Sequence, residues 1–242
     1  MIYLIDGTFN GLLTAVFNAY LTKKFPNSVS QGNVQLEISG ETVEIQTDDE
    51  KAERVAVKLK KILKTNEFND LKIALKSCDD AKYSITFNYI VKTINAGFSI
   101  SENFTDKTVF NFDKIVSKVF QEVLRFKGFI RFSKTEEGIF YAKYFPDNDI
   151  NTLLLPHFVK RYKDMPFMIH DLNHNVISAH ANGKTKTVSA KINPLKISDE
   201  ASKLFKDYYN TIYIKERANT KTMLNFMPKR YHSFMPEKDE LL

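Results

Sequence analysis

The hydrophobic pattern of this chain changes its period at Gly128, and that change limits the fold more than any other feature. From Asp48 to Phe126 apolar residues recur at helical spacing, whereas over Gly128–Ser133 and Ile139–Phe145 they alternate, as in strands with one buried face. Ala52, Val55, Leu59, Ile62 and Leu63 form one stripe behind Asp48-Asp49-Glu50, an acidic start that suits the positive end of a helix dipole. Helical spacing runs on from about Asn66 to Asn95, stops near Gly97, and returns from Asp113 to Phe126.

Strand signals flank this helical middle. Ile2 to Ile5 reads as a strand, Asp6-Gly7 as a tight turn, and Phe9 to Tyr20 as a helix capped by Asp6 or Thr8. Val34, Leu36 and Ile38, then Val43 and Ile45, alternate across Ser39-Gly40 and suggest a hairpin. After the change of period, Gly128 to Ser133 and Ile139 to Phe145 flank Glu136-Glu137-Gly138, a second hairpin signal. A helix is expected over Asn151–Tyr162, strands over Phe167–His170, Val176–Ala181 and Thr185–Ile192, and a last helix from Ser198 to Ile212. Helices and mostly antiparallel strands in separate runs argue an α+β fold. No linker or repeat divides residues 1–242, so a single domain is expected, softest near 97–107.

The chain carries a formal charge of +6, which favours an anionic partner. Its lysines gather at Lys58, Lys60, Lys61 and Lys64, and again at Lys184, Lys186 and Lys191. Between Lys215 and His232, Lys215, Arg217, Lys221, Lys229 and Arg230 face a single acid, Glu216. Such a cluster could neutralise several phosphates. The one cysteine, Cys78, excludes an internal disulfide and any metal site built of several cysteines, and Asp79 and Asp80 beside it disfavour a thiolate. No apolar run approaches ~18 residues, and Asp6 interrupts the N-terminal apolar stretch. A cytoplasmic protein with no membrane contact and no cofactor is expected.

Several blocks, in order, carry a resemblance: Tyr3-Leu4-Ile5-Asp6-Gly7-Thr8 with Leu12-Leu13-Thr14-Ala15-Val16-Phe17, Gly128-Phe129-Ile130-Arg131-Phe132, Pro156-His157-Phe158 with Arg161, Phe167 with Ile169-His170-Asp171, and Phe226-Met227-Pro228-Lys229-Arg230-Tyr231. The chain resembles a bacterial family described as DNA metabolism proteins and built on a domain of unknown function. The resemblance implies a setting beside a radical-SAM protein of DNA repair or modification. Related domains are fused to a uracil-DNA-glycosylase-type domain, which this sequence does not contain. The resemblance brings no catalytic residues, and Phe167 and His232 stand where relatives often show Trp.

Candidate residues follow from these blocks. His157 and Arg161, one helical turn apart, could contact nucleic acid or move a proton, or could brace the next strands while Arg161 pairs with Asp164. His170 beside Asp171 could serve as a general base, although neighbours on a strand point to opposite faces, so Asp171 is better placed to start the turn. His170, Asp171, His174 and His180 match no zinc spacing, and no metal is expected. Asp6-Gly7-Thr8 could seat an anion, but its carboxylate favours capping. In a strand, Arg131 would share a face with Phe129, a basic–aromatic pair able to hold a phosphate and stack a base, or an Arg lying over core. Lys229, Arg230 and Tyr231 read as a phosphate clamp; alternatively, Phe226, Met227, Tyr231 and Phe234 dock the tail on the core or on a partner subunit. The expectation is therefore a DNA-binding accessory protein acting with a radical-SAM enzyme. The alternatives are a hydrolase or lyase on damaged DNA through His157 or His170, or an interaction module for that enzyme.

Overall fold

In the computed structural model, which describes residues 1–32, 41–135, 138–163 and 165–189, strand β1 (Ile2–Ile5) enters helix α1 (Phe9–Thr22) through a turn that both expected caps close. Thr8 is the N-cap, its hydroxyl accepting the Gly11 amide at 2.9 Å, while Asp6 accepts the Thr8 amide and hydroxyl. Strands β2 (Ser28–Gln31) and β3 (Thr42–Glu44) follow. The chain divides into two compact units, Met1–Phe120 and Gln121–Leu242.

In the first unit, β1 lies between β2 and β3 and pairs parallel with both. The hairpin expected across Ser39-Gly40 falls on residues that the structure does not describe. Residues 33–40 lie outside the described part, and β3 pairs with β1 in parallel. Helix α2 (Asp49–Ile62) starts on Asp48, whose side chain accepts the Lys51 amide at 3.1 Å, and carries acids in its first turn and lysines in its last. Helices α3 (Thr65–Ala74) and α4 (Lys82–Ala96) divide the long helical pattern, and α4 stops at Gly97 as expected. Leu12, Leu13, Val16, Leu59, Leu71 and Ile90 are buried in one core with Tyr89, whose ring stacks on Phe112 at 3.9 Å.

Helix α5 (Lys107–Phe129) is longer at both ends than its apolar stripe. Its C-terminal extension overturns the strand expected over Gly128–Ser133. Gly128 and Phe129 belong to the helix, and only Ser133–Lys134 forms a strand, β4. Phe129 lies three residues after Phe126, and the two rings meet edge to face at 6.5 Å, so the helical register of the aromatics decides the outcome.

The second unit holds a five-stranded sheet in the order β4-β5-β6-β7-β8, with β5 (Phe140–Tyr144), β6 (Phe167–Asp171), β7 (Val176–Ala181) and β8 (Lys184–Ser189). Helix α6 (Asn151–Tyr162) joins β5 to β6, which makes that pair parallel, while the other pairs are antiparallel. Phe132 packs among Phe158, Tyr162 and Phe167 with centroids 4.7 to 5.8 Å apart, so these phenylalanines serve as core. Parallel and antiparallel sheets with six helices among the described residues make an α+β fold.

Candidate nucleic-acid interface

Strand register sorts the second unit's side chains into two faces. Phe140, Ala142 and Tyr144 share one with Phe167, Ile169, Asp171, Ser178 and His180. Helix α6 covers this face. Tyr162 lies 5.4 Å from Phe140 and 5.6 Å from Phe167, and the Tyr144 hydroxyl donates to Asn151 at 3.1 Å. The other face carries Tyr141, Lys143, Met168, His170, Lys184 and Lys186.

His157 belongs to the α6 layer, its ring edge-on to Phe158 at 4.9 Å. Burial, then the positive charges of Lys127 and Arg161, push its pKa down, so the imidazole is neutral near pH 7. Its Nε2 is buried without a hydrogen-bond partner among the described residues. The positive charges of two cations from different helices therefore both act on one uncharged ring. Arg161 itself is exposed. Arg131 folds back on the end of α5, donating from Nη1 to the Gly128 carbonyl, beside the turn that carries Lys127. Arg131 thus lies against the end of the helix and does not alternate with Phe129 in a strand.

His170 sits in another layer. It is 2 % exposed on the opposite face, and its Nδ1 lies 2.7 Å from the Tyr141 hydroxyl. Burial lowers its pKa, partly offset by the Asp171 charge. The sheet separates His157 from His170, so the two histidines do not form one site. Asp171 is buried and starts the turn, as its place on the strand suggests. It accepts the Asn173 and His174 amides at 3.0 Å each and His174 Nδ1 at 2.7 Å. This last bond raises the His174 pKa. His180 Nε2 donates to the Lys163 carbonyl at 2.8 Å, and its ring stacks on Phe167 at 5.2 Å. The four residues weighed as metal ligands are thus spent on turn and core. Among the described residues no group of three or more His, Cys, Asp or Glu could hold a metal ion. Lys229, Arg230 and Tyr231 lie outside the described residues, as does Asp164.

Two residues at this site gave no sequence signal. Lys127 lies beyond the last residue of the apolar stripe, Phe126, so periodicity does not place it in α5. Glu122, 5 % exposed on α5, accepts the Asp147 amide at 2.8 Å, the Asn148 amide at 2.8 Å and the Asn148 side-chain amide at 2.5 Å. It thereby fixes the turn from β5 into α6, and with it the helix that presents His157 and Arg161.

A family profile, Domain of unknown function DUF4130, matches residues 80–237. The chain belongs to this family. The matched region takes in α4 to β8 and the Phe226–Tyr231 block, whereas β1 to α3 precede it. No curated protein matches the chain.

Proposed function

We propose that this DUF4130 protein is a cytoplasmic, nucleic-acid-binding accessory protein of DNA metabolism that acts with a radical-SAM enzyme. Lys127, Arg131 and Arg161 make the described part of its phosphate contact, and Lys229, Arg230 and Tyr231 add to it. What supports this reading is that the positive charges of Lys127 and Arg161, from two helices, both act on His157, in a chain of net charge +6. Like charges repel, so cations near one another favour an anion beside them. No helix among the described residues is long and apolar enough to cross a membrane.

Fluorescence anisotropy with single-stranded and duplex DNA across a salt series tests the reading. The parent chain should bind with a steep salt dependence, and Lys127→Ala/Arg161→Ala should flatten the slope by about 1.4 to 1.8 in log K against log salt. Equal slopes for parent and double variant would reject the contact.

A second reading has its own observation. Phe98, Phe104 and Phe110 are 66 %, 58 % and 53 % exposed, bare aromatic rings of the kind that suits docking to the partner enzyme. Capture of that radical-SAM protein in high salt, abolished by Phe104→Ser/Phe110→Ser, would favour an interaction module. An enzymatic role would rest on His157 or His170 singly, and cleavage of lesion-bearing DNA lost in either alanine variant would reveal it.

A further inference from the structure

In the first unit a cleft of about 510 Å³ opens at the carboxyl ends of the three parallel strands. Because β1 is central, the chain leaves it toward β2 on one side and returns as β3 on the other. Where strand order reverses in this way, the segments leaving the strand ends diverge and open a crevice, the usual ligand position in a parallel sheet. The volume falls within the range of small-molecule sites. All of its lining residues precede the DUF4130 match.

The polar groups here are oriented. Asp6 Oδ1 accepts the Thr8 amide at 2.8 Å and the Thr8 hydroxyl at 2.7 Å, and Oδ2 accepts the Thr47 hydroxyl at 2.8 Å. Burial opposes the charge of Asp6, but the bonds from Thr8 and Thr47 outweigh it, so the group is ionised at neutral pH. Asp6 Oδ2 and the Thr47 oxygen keep acceptor lone pairs side by side, at the spacing of the two oxygens of a vicinal diol. At the end of β2, Gln31 Oε1 accepts the Tyr83 hydroxyl at 3.2 Å, which leaves the amide nitrogen to donate. Gln46, just beyond β3, adds a second exposed amide.

Two glycines keep these groups in place. A Cβ on Gly11 would stand 2.2 Å from Asp6 Oδ1, and one on Gly7, at φ +83°, would stand 2.7 Å from the Gln31 amide. Among the described residues, those lining the cleft include no Lys, Arg or His, and Glu44 adds a second carboxylate. In a chain of net charge +6 this local surplus of acid repels phosphate and favours a neutral molecule rich in hydroxyl donors.

We propose that this cleft binds the cis-diol of a sugar or ribonucleoside through Asp6 and Thr47, with Gln31 and Gln46 reading the polar edge beside it. Isothermal titration of the full chain with adenosine, D-ribose and 2′-deoxyadenosine tests this. Adenosine should bind saturably. 2′-Deoxyadenosine should bind at least about tenfold more weakly, because a site built to hold a hydroxyl rejects the analogue that lacks it. Thr47→Val should cause a similar loss with an unchanged circular dichroism spectrum. Ribose binding as tightly as adenosine would identify a free sugar as the ligand source, and a clear preference for adenosine would identify a nucleoside. If neither adenosine nor ribose saturates the chain, or if the deoxy compound binds as well as adenosine, the proposal fails. The deoxy comparison needs no variant, so folding defects cannot confuse it.

Discussion

Glu122 offers the sharpest test of how the candidate interface is held. Its carboxylate takes three hydrogen bonds from Asp147 and Asn148, and both it and Asn148 are 5 % exposed. Bonds to an ionised acceptor are worth about 1.5–3 kcal/mol each when removed singly. Losses within one network do not add, so Glu122→Ala should destabilise the second unit by about 3–5 kcal/mol, leaving the Asn148 donors buried and unmatched. Glu122→Gln keeps the shape but turns one acceptor into a donor facing an N–H, and should cost about 2–3 kcal/mol. The chain contains no Trp, so urea unfolding is best followed by circular dichroism, with amide hydrogen exchange over residues 140–162 locating the loss. The variants should also weaken DNA binding, because the turn they loosen orients α6. A Glu122→Ala protein within about 1 kcal/mol of the parent, with unchanged exchange, would refute the view that this carboxylate sets the turn.

Other expectations follow from charge and packing. His174, held by Asp171, has a folded pKa above its unfolded value of about 6.5, so its stabilisation is full below that pH and fades as pH rises through the folded value. His157 and His170 are shifted the other way, and their contribution is lost as pH falls below about 6.5. NMR titration should find His174 titrating above the other two, and the reverse order would contradict the hydrogen-bond assignments. Asp70 is raised by burial and by the nearby charges of Glu67 and Asp113, so its ionised form opposes folding at neutral pH. Asp70→Asn should therefore raise the thermal midpoint at pH 7 but not at pH 3.5, and equal effects at both would show a packing cause. Gly11→Ala should cost about 1–3 kcal/mol in a urea melt, since its methyl would displace a carboxylate held by three hydrogen bonds. A neutral result would mean that Asp6 moves freely.

Much of the framework was legible in the residues alone. The span of α6 over Asn151–Tyr162 and that of β7 over Val176–Ala181 both follow from local periodicity. The acidic start and basic end of α2, and the stop of α4 at Gly97, are likewise written in neighbouring residues. Over such lengths the choice of helix or strand depends on which side chains fall on one face, and that is a property of order along the chain.

Short or weakly apolar segments needed their tertiary partners. Gly128 to Phe132 alternates over only five residues, and the same order also suits a last helical turn, which Phe129 joins by meeting Phe126. Ser28–Gln31 has one apolar residue, Val29, and becomes a strand because β1 supplies hydrogen bonds along its edge. What the amino-acid order determined was the period of each long element and the excess of positive charge. What only folding decided was which polar groups meet: Lys127 and Arg161 acting on a neutral His157, Asp6 and Thr47 across two strand ends, Glu122 under a distant turn. Those encounters join residues 25 to 41 positions apart in the cases bonded directly, and energies that depend on distance in space leave no trace in spacing along a chain.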